Sequence, residues 1–328
     1  MANTIRSATQ TGTTTGTIAR EVNNFYDKVL LDKAIPAFVH NRFCQVRDIP
    51  RNSGTNIVKF RRYGLLTATT TALSEGVTPA GSSLSVTDMV ATVSQYGDYV
   101  TLSDVVLMET YDPILTETAE ILGVQAGDSL DQLAKAVMVA GASAQWASTS
   151  TTAVTVGPGM KLDRAEVKEA VRTLKNNNAR PLTSMINPST GYNTTPLNAC
   201  YVGIVHPYTT YDLDDATGWI PVEKYPNKSD VMPNEVGSLA GVRFVESTNA
   251  YTTGGLLVTT VYGTLILGEN AVAQTRISGE SLKNIVKPLG SAGTADPLDQ
   301  RTTSGWKATY VAKVLNANWI VCIYHAVS

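Results

Sequence analysis

The chain has 328 residues, 43% of them hydrophobic and 16% charged, enough to bury a sizeable core and to hold more than one lobe. Its 26 basic and 28 acidic residues leave a formal net charge of −2, which offers no electrostatic grip on nucleic acid. No apolar run approaches the roughly 18 residues of a membrane span, and the start, Met-Ala-Asn-Thr-Ile-Arg-Ser, lacks an apolar signal core, so the sequence reads as a soluble protein made in the cytoplasm.

Residues 1–17 are rich in Thr, Gly and Ser and predict a flexible arm. Ile18, Val22, Phe25, Tyr26, Val29 and Leu30 then recur at helical spacing, predicting an amphipathic helix over Thr17–Leu31 that ends before Pro36. Its apolar stripe needs a second surface, in the same chain or in a neighbour, which makes Phe25 and Tyr26 candidate inter-subunit contacts.

Residues 49–100 read as a long β excursion. Asn56–Tyr63 is a strand with Val58 and Phe60 on one face and Lys59 and Arg61 on the other. Turn residues over Glu75–Ser83 predict a polar tip, and the chain returns along Leu84–Leu102 with a bulge or kink at Gly97. A two-stranded arm is marginal by itself in water, so its stability must come from packing on something else. Lys59, Arg61 and Arg62 are the nearest approach to a basic patch. With Glu75 and Asp98 they are candidate contacts to a neighbouring subunit, where exposed charge pairs set register more than they add stability.

Asp112-Pro113 is a helix start, with a capping carboxylate and a proline at the first position. Ile114, Leu115, Ile121 and Leu122 open an apolar stripe that Leu130, Leu133, Ala134, Val137, Met138 and Gly141 continue towards Trp146. Gly123 and Gly127 permit a break; unbroken, the helix would run about 50 Å. After a turn at Gly157-Pro158-Gly159, Asp163 and Glu166 predict a capping box for a helix ending near Asn178. Tyr201–Val205 is a short strand before His206-Pro207, and 212–234 reads as loop. Val242–Val245, Leu256–Leu267 and Lys307–Tyr324 are further strands.

The chain carries no phosphate loop, zinc-protease motif, nucleophile elbow or Cys-x-x-Cys pair, and only three histidines, His40, His206 and His325. The reading is of a protein that is not an enzyme and uses no cofactor or metal. His206 is expected to be a packed or hydrogen-bonding side chain. Asp212, Asp214 and Asp215 lack the spacing of a calcium loop and read as a solvated loop. Cys44, Cys200 and Cys322 are odd in number and far apart, and read as reduced, buried thiols.

The last forty residues carry the most specific signal. Lys287-Pro288-Leu289-Gly290-Ser291-Ala292-Gly293-Thr294-Ala295-Asp296-Pro297-Leu298-Asp299-Gln300-Arg301, followed by Ser304-Gly305-Trp306-Lys307, resembles the C-terminal signature of tailed-phage major capsid proteins of the enquatrovirus-like family. Tyr201-Val202-Gly203-Ile204-Val205-His206-Pro207, the block Asn234–Ser247 and the block Tyr262–Ala271 resemble further segments of that family, in the family's order. The Thr-rich arm matches least well.

The resemblance implies an α+β chain with the Hong Kong 97-type coat fold. Residues 1–48 would be the N-terminal arm and its helix, 49–103 the extended β loop, and 104–179 the peripheral domain with a long spine helix. The main part of the axial domain would occupy 180–245, with 246–328 returning to the axial and peripheral domains. The implied function is a coat protein that assembles through pentamers and hexamers into an icosahedral head around double-stranded DNA held without sequence recognition. Scaffolding, portal and decoration proteins would be further partners, with no membrane involved. An encapsulin-like compartment around a cargo enzyme is the alternative. Some relatives weld subunits by a lysine–asparagine isopeptide bond; Lys59, the only lysine in 49–100, lies well before the tip and reads as an ordinary exposed strand lysine.

Overall fold

A computed structural model describes residues 39–50, 55–64, 66–73, 75–109, 114–148, 150–186, 197–227, 230–254, 260–278, 282–291 and 296–327. The expected helix over Thr17–Leu31, with Phe25 and Tyr26, and the helix start at Asp112-Pro113 lie outside the described residues.

A short strand β1 (Gln45–Ile49) precedes the hairpin of β2 (Ile57–Tyr63) and β3 (Val86–Thr92). The longer β4 (Ser94–Ser103) leads through α1 (Asp104–Glu109) to the 28-residue helix α2 (Ile114–Gly141), about 42 Å long at 1.5 Å per residue. Both interior glycines are accommodated without a break. The helix stops at Gly141 rather than reaching Trp146, because Ser143–Trp146 is taken up as strand β5 beside the C-terminal strand.

Next come α3 (Arg164–Asn176), β6 (Tyr201–Val205), α4 (Pro207–Asp214), β7 (Ile220–Pro221), β8 (Glu235–Leu239) and β9 (Val242–Glu246). The capping box of α3 forms as its spacing predicts, with the Asp163 N–H donating to Glu166 Oε2 at 3.2 Å. The strands β10 (Tyr251–Gly254), β11 (Thr260–Leu267), β12 (Val272–Ile277), β13 (Leu282–Lys287), β14 (Arg301–Val314) and β15 (Ile320–His325) complete the chain. The single strand expected over Lys307–Tyr324 is therefore two, separated by a 3-10 turn at Ala317–Trp319. The loop expected from residue 212 begins three residues later, at Asp215, since α4 runs through Asp214.

Two sheets organise these strands. In the five-stranded sheet β1 pairs with β12, β12 with β14, and β14 with β13 on one side and with β4 on the other. The eight-stranded sheet runs β5-β15-β11-β6-β9-β8-β7, with β10 also on β11. Leu122, Ala126, Leu130, Ala134 and Met138 of α2 pack against Val202, Leu265 and Cys322 of the larger sheet and against Trp306, Ala308 and Tyr310 of the smaller one. On the opposite face of the larger sheet, Val167, Ala170, Val171 and Leu174 of α3 cover Tyr201, Phe244, Ile266 and Ile323. A sheet covered on both faces needs apolar residues on both, which is why β6, β11 and β15 read as continuous apolar runs.

Candidate assembly interface

The hairpin is built from cross-strand pairs that divide cleanly between its two faces. Val58 opposite Ala91 and Phe60 opposite Met89 form the inward face, and these side chains meet Ala273, Val311 and Leu315 of the five-stranded sheet. The expected split of Val58 and Phe60 from Lys59 and Arg61 is therefore realised. The packing that a thin arm requires is supplied, at its base, by its own subunit.

The outward face pairs Ile57 with Thr92, Lys59 with Val90, Arg61 with Asp88 and Tyr63 with Val86. Arg61 donates from Nε and Nη2 to the two carboxylate oxygens of Asp88 at 2.8 and 3.0 Å. That fork holds the Asp88 carboxyl below its ordinary range and cancels one charge of each sign. Lys59 remains as a cation among Ile57, Tyr63, Val86 and Val90, which are 44–58% exposed. Arg62 is exposed on the other face opposite Thr87, and Glu75 is exposed in the turn at the tip. The loop between the strands adds Leu73 and Val77, 75% and 65% exposed.

The bend out of the hairpin differs from its sequence reading. β3 and β4 are divided at buried Val93, whose N–H donates to the Asn56 carbonyl at 2.9 Å, and Gly97 sits in regular register opposite Lys307. Gly97 serves close approach instead of a bulge: a Cβ there would lie 2.5 Å from the Trp306 carbonyl oxygen. Beside it, Asp98 accepts from Gln125 Nε2 at 2.7 Å, and Gln125 Oε1 accepts from Trp306 Nε1 at 3.1 Å. Asp98, a candidate inter-subunit contact, thus ties β4 to α2 and β14 inside the subunit.

A second open surface lies along α2. Ile121 belongs to the core stripe expected from sequence but is 58% exposed, and Val124 is 50% exposed. The core contacts of this helix instead pass through Leu115, Ala119, Leu122, Ala126 and Leu130, a stripe centred about 140° round the helix from Ile121. Ile121 and Val124 line a groove of about 950 Å³ closed on its far side by Asn234–Val236 and Ser247–Asn249. Glu117, Glu120, Asp128 and Glu246 stand along it, and no lysine or arginine does among the described residues. The further acid in its wall, Glu235, is neutralised: Arg243 donates to its two oxygens at 2.6 and 2.5 Å. Sequence reasoning misses this surface, although a signal for it exists in two apolar residues three apart within an acidic helical stripe.

No family model matches the sequence, and no curated protein does. Among solved structures, the capsid of Ralstonia phage GP4 matches over 100% of this chain and 99% of its own, with a TM-score of 0.66 at 12% identity. The capsid of cyanophage Pam1 matches over 100% and 99%, with a TM-score of 0.63 at 13% identity. That of cyanophage P-SCSP1u matches over 99% and 93%, with a TM-score of 0.58 at 14% identity. Likeness across whole chains at such low identity speaks for architecture. This chain has the Hong Kong 97-type coat fold.

In this coat fold the polar groups singled out from sequence serve the scaffold. His40 and Asp131 are sealed from solvent, with His40 Nδ1 2.7 Å from Asp131 Oδ2. His206 caps α4, its Nδ1 accepting from the Tyr208 N–H at 3.3 Å, and its ring packs on Tyr208 and Tyr262. His325 is fully buried between Thr264 Oγ1 and the Ala326 carbonyl, each 2.9 Å away, and burial lowers its pKa to about 4. Asp212 departs from its expected place in a solvated loop: it is buried at the end of α4 and pairs with Lys161 Nζ at 3.2 Å, while Asp214 and Asp215 are exposed. The three cysteines are buried and free, and burial pushes the Cys44 and Cys322 thiols up to about 12. No group of His, Cys, Asp and Glu among the described residues is arranged to hold a metal ion.

Proposed function

We propose that this chain is the major capsid protein of a tailed phage. Copies join as pentamers and hexamers into an icosahedral head, which encloses double-stranded DNA without reading its sequence. The observation that carries this reading is the coat fold over the full chain together with a hairpin whose outward face leaves four large apolar side chains in solvent. Exposed apolar area of that kind marks an interaction site, and in a closed shell many such modest contacts act together. The four sequence blocks support a position in the enquatrovirus-like branch. Residues 1–48 then act as arm, 49–103 as extended loop, 104–179 as peripheral domain with α2 as spine, and 180–245 as the main axial part, with 246–328 returning to both. Assembly takes place in the host bacterial cytoplasm, and scaffolding, portal and decoration proteins are the further partners expected of such a head. The wall does no catalysis and takes no cofactor.

The test is velocity sedimentation of the recombinant chain, with electron microscopy of the fast fraction. Closed icosahedral shells or five- and six-fold rings are expected. A monomer that also stays inert when its phage partners are added would overturn the assignment. Packaged DNA in particles from infected cells distinguishes the phage head from an encapsulin-like compartment, which would hold a cargo enzyme. Deleting the tip, Glu75–Ser83, should leave a folded subunit that no longer closes shells.

A further inference from the structure

The five-stranded sheet has a second face, turned away from α2. Trp306, Ala308 and Tyr310 of β14 point to α2, so the alternate residues of β14, and those level with them on β4 and β13, point the other way. The hairpin base covers one end of this face at Ala273 and Val311, and the other end is open. The face carries Lys283, Lys287, Arg301, Lys307 and Lys313 and no aspartate or glutamate. Asp98, the single acid in these three strands, is turned to α2. Arg301 is taken up by Asp296 and Lys283 has a contact of its own, whereas Lys287, Lys307 and Lys313 make no ion pair among the described residues.

An apolar row crosses the open end. Ile285, Gly305 and Tyr99 stand in register on β13, β14 and β4, with Ile285 41% and Tyr99 59% exposed. Gly305 has no side chain, and Ile285 and Tyr99 are two strand spacings apart, about 10 Å, so a slot wide enough for one side chain opens between them. The shallow groove here holds about 340 Å³. Lys307 lies two residues beyond the slot on β14, and Lys287, level with Thr303, two residues before it. The two lysines are thus separated by about 13 Å along the strands.

We propose that this face binds an extended acidic segment of a second protein, with an apolar side chain in the slot and a carboxylate two residues to either side. Every second side chain of an extended segment points the same way, so acid, apolar and acid at i, i+2 and i+4 span the same distance as the lysines. Charge selects the segment and the slot fixes its register. Nucleic acid would match the cations but has no apolar side chain for the slot. Two copies meeting by this face would set lysine against lysine. No two of the chain's 28 acidic residues stand four apart, so the segment is not its own. The inference goes beyond the shell reading and does not depend on it.

The experiment titrates the full chain, as shells or rings where it forms them, with the labelled peptide Ser-Asp-Thr-Leu-Thr-Asp-Ser, read by fluorescence anisotropy. Saturable binding is expected, about tenfold weaker for Ser-Asp-Asp-Leu-Thr-Thr-Ser and about tenfold weaker for the first peptide when Lys287→Gln and Lys307→Gln are combined. Tyr99→Ser should weaken the first peptide severalfold and leave the binding of a short DNA duplex unchanged. No saturable binding, or equal affinity for the two peptides, would overturn the proposal. Peptide binding unmoved by Tyr99→Ser, with DNA held through the same two lysines, would make the face a phosphate site instead. Peptide bound by the dispersed chain but refused by shells would mean that a neighbouring copy covers the face, and would also overturn it. Should the lysine variant fail to fold, carbodiimide coupling of the peptide to the native chain decides: attachment at Lys287 and Lys307, found by mass spectrometry, supports the site, and attachment spread over other lysines counts against it. A chain that binds the peptide yet forms no shells or rings, even with its phage partners, sinks the shell reading and leaves this one standing.

Discussion

His40 and Asp131 face each other with no exposure to solvent, 2.7 Å apart, although they are 91 residues apart in sequence. Asp131 Oδ1 also accepts from the Val39 and His40 N–H groups at 2.9 and 2.8 Å. One carboxylate in the middle of α2 therefore fixes Val39 and His40 against that helix. Next to it, Tyr310 of β14 donates to Asn41, so the same junction is tied to the smaller sheet.

Removing that carboxylate leaves several buried donors unsatisfied. Asp131→Ala should destabilise the unassembled subunit by about 3–5 kcal/mol, read from its urea midpoint. A loss below about 1 kcal/mol would show that water replaces the carboxylate.

Arg243 and Glu235 form a second buried pair, 4% and 0% exposed. Arg243 donates from Nη2 to the Asp230 carbonyl as well, and its guanidinium lies 5.7 Å from the Tyr225 ring centroid. Lysine keeps the charge and loses the fork, so Arg243→Lys should cost about 2 kcal/mol. Equal thermal midpoints for the two proteins would refute the importance of the fork.

Gly305 on β14 faces Tyr99 on β4, and a Cβ there would come within 2.6 Å of the Tyr99 Cβ and 2.7 Å of the Asp98 carbonyl oxygen. Gly305→Ala should push the two strands apart at a cost of about 1–3 kcal/mol. Amide exchange on β4 would rise before exchange on β11 if the effect is local. Unchanged protection of β4 would contradict this.

His325 gives the fold a pH dependence of definite sign. Burial lowers its pKa from 6.5 to about 4, so the unfolded chain binds the proton more readily than the folded one. The stability this contributes is complete above pH 6.5, declines as pH falls towards about 4, and changes no further below that. The full span is on the order of 3 kcal/mol. His206, also lowered by desolvation, acts in the same direction. Urea midpoints measured from pH 7 to pH 4 should fall more steeply for the native chain than for His325→Gln. Parallel curves would remove His325 from the account.

Legibility followed the range of the interaction. The α3 capping box, strand β6 and the two faces of β2 are set by residues within a few positions of one another, and all were readable. The resemblance of four sequence blocks pointed to the coat fold, which the full-length likeness to solved capsids bears out. Missed were β12 and β13, whose polar residues Gln274, Arg276, Lys283 and Asn284 hide the strand period until β14 lies beside them. Asp212 read as solvated because its partner, Lys161, is 51 positions away.

The candidate surface divides in the same way. Alternation along β2 and β3 alone put Lys59 and Arg61 on the face opposite Phe60, because side chains on a strand must alternate. Ladder register decided that Arg61 is cancelled by Asp88 while Lys59 lies opposite Val90. Helical spacing showed that α2 is long, while overshooting its end at Gly141 by five residues, and could not say which apolar residues face the core, as a helix offers more apolar positions than one contact can cover. The arrival of two sheets on one side of α2 decided it, burying Leu122 and Leu130 and leaving Ile121 and Val124 to solvent.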